Sequence, residues 1–179
     1  MRKRPGVVVG VDGSLGSRAA LQFALEDAAR RRVGVRVVWA FPSSLYWPDA
    51  YGLSAPPTIG QVKRDLRKAA SRMLEEILAE HSELAAVPVE RHAVEGHPAK
   101  VLVEQALGAD LLVVGHRGRG GFASALLGSV GLHCVLHAQC PVMVVRPVPQ
   151  PQAAAEVEVS GKHSNTEAGP VDSIVGPLY

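Results

Sequence analysis

The stretch Gly115–Gly131, GHRGRGGFASALLGSVG, decides how this chain is read. An uncharged run, ADLLVV, leads into it, and the helix-like segment SVGLHCVLHAQ leaves it. Glycines allow the backbone to approach a ligand closely and to turn successive N–H groups toward one point, which suits an anion. Gly128-Ser129 stands where a helix would begin, and the first N–H groups of a helix attract phosphate. Arg117 and Arg119 add positive charge, and His116 lies in the same loop. Glycine clusters also mark linkers and plain turns. The composition of the stretch therefore leaves three readings open: linker, turn or cradle.

Working outward from it, the chain alternates two kinds of segment. GVVVGV (6–11) is short, apolar and β-branched, as a buried strand is. SRAALQFALEDAARRR follows with helical spacing that puts Ala20, Phe23, Ala24 and Ala28 on one face. Ser14 or Ser17 suits its N-cap, and Gly34 its stop. VRVVWAF (35–41) is a second strand, followed by the Pro- and Ser-rich loop PSSLYWPDAYGLSAPPT. IGQVKRDLRKAASRMLEEILAEHSEL is a long amphipathic helix, and VPVERHAVEG alternates like a strand near a sheet edge. HPAKVLVEQAL is a short helix with Pro98 in its first turn. ADLLVVG, SVGLHCVLHAQ and CPVMVVRP complete the series as strand, helix and strand. The order βαβαβαβαβ predicts one doubly wound parallel sheet with helices on both faces.

Composition agrees with that fold and narrows the function. Hydrophobic residues make up 47% and aromatics only 4%, so the core must be built from Val, Leu and Ala, as in a parallel sheet under helices. The net charge of +2 gives no argument for nucleic acid or a membrane surface as partner. No apolar run approaches the roughly 20 residues of a membrane span. The N-terminal MRKRPGVVVGVDG has too short an apolar stretch for a signal peptide, and Asp12 interrupts it. Cys134 and Cys140 form no metal-ribbon spacing and no disulfide framework. A cytoplasmic setting is expected. From Val148 onward the chain is Pro-, Gly- and Ser-rich without a period, and residues 148–179 are expected to be a disordered tail beyond a domain of 1–147.

In an open α/β sheet, ligands bind beyond the carboxyl ends of the strands where the strand order reverses. Two strand ends carry suitable residues: the first, at Gly10 and Asp12-Gly13-Ser14, and the fourth, at Gly115. Asp12 also suits a helix cap. No lysine is followed by Ser or Thr, so a Walker A loop is absent, and GVDGSLG after the first strand is not the dinucleotide fingerprint. A GxSxG elbow is missing too. His133 and His137 lie four apart beside the two cysteines, a spacing that zinc can use but that exposed imidazoles and small apolar side chains also explain.

The spacing Gly115-x2-Gly118-x9-Gly128-Ser129 resembles the ATP-binding signature of the universal stress protein family. VGVDGS resembles that family's opening strand, and GSV…VLHAQCPVMVVRP its closing helix and strand. The resemblance covers Pro5 to about Pro147. It implies a Rossmann-like, adenine nucleotide alpha hydrolase-like domain of strand order 3-2-1-4-5, usually a homodimer through the last strand, here Pro141 to Pro147. It implies ATP with Mg2+ or Mn2+ as ligand and a role as stress-response regulator or sensor. It gives Asp12 the ribose or adenine side, with Gly10 before it. Ala40 would offer its backbone to adenine. Gly115, His116, Arg117, Gly118, Arg119, Gly120 and Gly121 would wrap the phosphates, and Gly128, Ser129, Val130 and Gly131 would close the site. One position departs: many ATP-binding members have Ser or Thr where this chain has Gly131. Weak ATP hydrolysis or adenylate transfer is the enzymatic alternative, although SGGxDS and HIGH-type motifs are absent. An interaction module with a degenerate nucleotide site is the other.

Overall fold

The computed structural model describes residues 6–42, 57–118 and 127–147. The described residues all fall in the first of two units into which the chain divides, Met1–Val148 and Pro149–Tyr179. The expected tail, 148–179, lies outside the described residues.

Among the described residues five strands alternate with four helices: β1 (Val7–Gly10), α1 (Leu15–Arg31), β2 (Val35–Phe41), α2 (Ile59–Glu80), β3 (Val89–Glu95), α3 (Pro98–Gln105), β4 (Leu111–Gly115), α4 (Ser129–His137) and β5 (Val142–Val145). All strand pairs are parallel, in the order β3-β2-β1-β4-β5, as expected. The two-residue period of a strand sorts the central side chains onto two faces. Val7, Val9, Val35, Val37, Trp39, Leu111 and Val113 pack under α1 and α2. Val8, Val38, Leu112 and Val114 pack with Val101 and Leu102 of α3, with Ala106 just after it and with Cys134 of α4. Val7, Val8 and Val9 are wholly buried, which is why β1 reads as an unbroken apolar run. β3 pairs only with β2, as its alternating pattern requires of an edge strand.

Helix ends follow local chemistry. Ser14 caps α1, its hydroxyl accepting the Ser17 N–H at 3.2 Å. Thr58 and Gln61 form a capping box at the start of α2. Two boundaries differ from expectation. α1 stops before Gly34: Arg32 takes the left-handed conformation (φ 57°, ψ 43°), and the Arg32 and Val33 N–H groups close on the carbonyls of the last turn. That is the exit a helix usually makes with glycine. The backbone leaves α2 at His81, and Ser82–Ala86 forms a separate 3-10 turn. The arginines ending α1 are not merely solvated, because Arg30 and Arg31 pair with the nearly buried Asp27 at 3.2 and 2.6 Å.

Candidate functional site

The sheet order makes the site. The connection from β1 runs one way, to β2, while β4 lies on β1's other side and leads on to β5. The carboxyl ends of β1 and β4 are therefore neighbours at the switch point, and a cleft of about 400 Å3 opens there.

β1 supplies Gly10 and Asp12 to the cleft wall. Gly13 turns the chain with φ 85°. Behind it the Ser14 N–H and hydroxyl both donate to Asp12 Oδ1, at 3.0 and 2.6 Å. Ser14 thus caps α1 and holds the Asp12 carboxylate at once, so Asp12 is not itself the cap. β4 supplies Gly115, Arg117 and Gly118. A Cβ at Gly118 would run into Asp12 Oδ2. The loop after β4 thus lies directly against the carboxylate after β1, and only a residue without a side chain fits between them.

The start of α4 completes the polar end with Gly128, Ser129, Val130 and Gly131. The Gly128 N–H donates to the His116 carbonyl at 2.8 Å, tying the helix start to the β4 exit. With glycine as N-cap, α4 has no side-chain cap among the described residues. Its first-turn N–H groups therefore face the cleft end without the hydroxyl that serves α1.

Ala40, from the end of β2, also lines the cleft. Arg119, Gly120 and Gly121 lie outside the described residues. His116 is not among the lining residues. Its ring sits beside Gly16, with Nδ1 buried and without a hydrogen-bond partner among the described residues. Its N–H donates to Val145 and its carbonyl accepts from Gly128, both at 2.8 Å. It joins β4, β5 and α4 rather than facing the cleft. Desolvation, then the Arg117 and Arg146 charges, holds its imidazole below the ordinary value.

Sequence reading missed the apolar wall. Val38, Pro98, Leu102 and Val114 line the cleft with Val130. Leu102 reaches across from α3, so that a Cβ at Gly10 would stand 2.7 Å from its Cδ1. Nothing local to α3 signals this, because it depends on which strand lies beneath the helix. Ser17 also lines the cleft, its hydroxyl donating to the Ser14 carbonyl at 2.9 Å. Among the described lining residues, Asp12 is the single carboxylate and Arg117 the single cationic side chain. The cleft thus combines backbone N–H groups and one guanidinium, suited to an anion, with apolar side chains suited to an apolar group.

A model of the universal stress protein family matches residues 4–146. The chain belongs to that family. Universal stress proteins of Mycolicibacterium smegmatis and Mycobacterium tuberculosis are 37% and 38% identical to it, over 79% and 78% of this chain and 45% and 44% of theirs. The chain spans about half the length of the curated relatives it matches. Among solved structures, a universal stress protein in complex with cAMP is 28% identical, with a TM-score of 0.54 over 81% of this chain and 98% of that one. The universal stress protein of Archaeoglobus fulgidus in complex with dAMP is 26% identical, with a TM-score of 0.53 over 80% and 98%. That of Lactobacillus plantarum, 20% identical with a TM-score of 0.56 over 81% of this chain and all of its own, shares the fold. Among the described residues no helix is long and apolar enough to cross a membrane.

Proposed function

We propose that this universal stress protein binds ATP in the cleft between β1 and β4 and acts as a ligand-dependent regulator of the stress response in the cytoplasm. The observation that carries the reading is the contact of Gly118 with the Asp12 carboxylate beside the uncapped start of α4. One carboxylate and a run of backbone donors then lie at the same end of one cleft. The complexes of two relatives with cAMP and dAMP support an adenine nucleotide as the ligand class.

In this reading adenine lies against Val38, Ala40, Leu102 and Val130, and Asp12 accepts from the ribose. Phosphates take the Gly115–Gly118 backbone, Arg117 and the N–H groups of Gly128–Gly131. A phosphate at a helix start meets both free donors and the positive dipole end. Mg2+ or Mn2+ would be held by phosphate oxygens with Asp12 at most, since magnesium sites use one or two carboxylates plus substrate phosphates. The chain would pair with a second copy through β5 and its flanks (Pro141 to Pro147), an edge strand that carries the exposed Met143.

Calorimetry tests the ligand. Nucleotide-free protein with Mg2+ should bind ATP more tightly than cAMP or AMP, because ATP reaches more of the donor set. Asp12→Ala and Gly128→Val should each weaken binding. Absence of heat with every adenine nucleotide overturns the reading. Equal affinity for ATP and AMP removes the phosphate assignment alone.

A further inference from the structure

The flank of α4 beyond the cleft carries a pair of side chains that nucleotide binding does not use. His133 and His137 are one helical turn apart, so both leave the same face. Their ring centroids lie 4.3 Å apart, with the planes tilted by 48°. His137 is exposed and His133 half-buried, so water and small ions reach them.

Two imidazoles at i and i+4 on one helix face are the arrangement that zinc-binding helices use. Each donor nitrogen must come within about 2.0–2.1 Å of the ion, which sets the two nitrogens roughly 3 Å apart. Rings already this close reach that separation by side-chain rotation, without bending the helix. The ligand form is the neutral imidazole.

We infer that His133 and His137 chelate a divalent transition-metal ion, of the Zn2+ or Cu2+ class, with water filling the remaining positions. The donor set selects the metal. Imidazole favours zinc, copper and nickel, whereas magnesium and manganese favour oxygen. The pair therefore does not compete for the ion that accompanies a nucleotide. A closed structural zinc site takes four ligands. No group of three or more His, Cys, Asp or Glu side chains placed to hold a metal occurs among the described residues. Among the described residues the pair is therefore a two-ligand, open site. The Lys100 ammonium, near enough to act on His133, weakens it.

The test uses the full chain, freed of metal and nucleotide and titrated with Zn2+ alone. Imidazole nitrogen resonances, read by NMR, should shift for His133 and His137 together. Removing a ligand should cost at least what removing a ligand's hydrogen-bonding partner does, so His133→Gln and His137→Gln should each weaken Zn2+ about tenfold or more in calorimetry. Lys100→Gln should tighten it about twofold to fivefold at low salt. Mg2+ should leave both rings unmoved. Shifts confined to His97, to Cys140 or to the N-terminal amine overturn the inference, as does either Gln variant binding as tightly as the unaltered chain. The resonance shifts are read without any substitution, so a variant that folds poorly does not blunt the test.

Discussion

A Cβ added at Gly118 would land on the Asp12 carboxylate, while one added at Gly131 would come within 2.9 Å of the end of the Leu127 side chain and within ordinary contact of the Gly115 carbonyl. These two glycines should therefore answer substitution in opposite ways. Gly118→Ala forces Asp12 away from the two Ser14 donors that hold it. ATP binding should fall by about 1–3 kcal/mol, roughly fivefold to a hundredfold or more, the cost of misplacing one charged hydrogen-bonding group. Gly118 is exposed, so the cost to stability should come from the two Ser14 bonds to Asp12 alone, about 0.5–1.5 kcal/mol. Calorimetry and a denaturant curve on the same variant separate the two effects. Unchanged affinity would mean that Asp12 does not contact the ligand. Gly131→Ser restores the hydroxyl that many ATP-binding relatives are expected to carry, and the Leu127 tip is free to give way. The gain should be about 0.5–1.5 kcal/mol, or roughly twofold to tenfold. Gly131→Ala is the control, since alanine strengthens the helix by about 1 kcal/mol without adding a donor. Gains of equal size in both variants would assign the effect to the helix and not to the phosphate.

α1 and α4 start at the same end of the sheet and are capped differently. α1 has the Ser14 hydroxyl; α4 has Gly128 and no side-chain cap. Ser14→Ala should thus cost about 1 kcal/mol of stability through the lost cap. It should also loosen ATP, because Ser14 donates twice to Asp12 and the hydroxyl contact at 2.6 Å is the shorter. A variant that loses stability and keeps full affinity would detach the cap from the site. This double duty was only half legible in the sequence. Ser14 reads as a cap from its place before an apolar period, but its hold on Asp12 needs the positive φ of Gly13. The central strands were legible as short apolar runs and β3 by its alternation, and the period sorts Val7 and Val9 from Val8. The end of α1 was misread because Arg32, a side chain that rarely enters the left-handed region, makes the turn two residues before Gly34. The glycine spacing gave the polar end of the cleft. The apolar wall was hidden, because Leu102 meets Gly10 only through the packing of α3 over the sheet. His116 looked like a phosphate contact by position alone, yet the backbone sends its ring toward Gly16.

At the scale of the molecule, that same ring sits where α1, β4, β5 and α4 converge. The His116 N–H reaches Val145, its carbonyl receives Gly128, and its buried Nδ1 lies beside the first turn of α1. A proton added there charges the ring against Arg117 and Arg146 and against the positive end of α1. The folded state therefore binds this proton less readily than the unfolded chain, whose imidazole has the ordinary value of 6.5. Well above pH 6.5 the ring is neutral in both states and adds no pH dependence. As the pH falls through 6.5 the unfolded chain takes up the proton first, and stability declines until the folded state also titrates. Denaturant unfolding at pH 7.5 and 5.5 should show the unaltered chain losing more stability on acidification than His116→Gln does. His133 shifts in the same direction and is present in both proteins, so the difference between their two losses isolates His116. Equal losses would mean that His116 is protonated as easily in the fold as in water. The buried Nδ1 would then have a partner, and the junction of the four elements would not depend on a neutral ring.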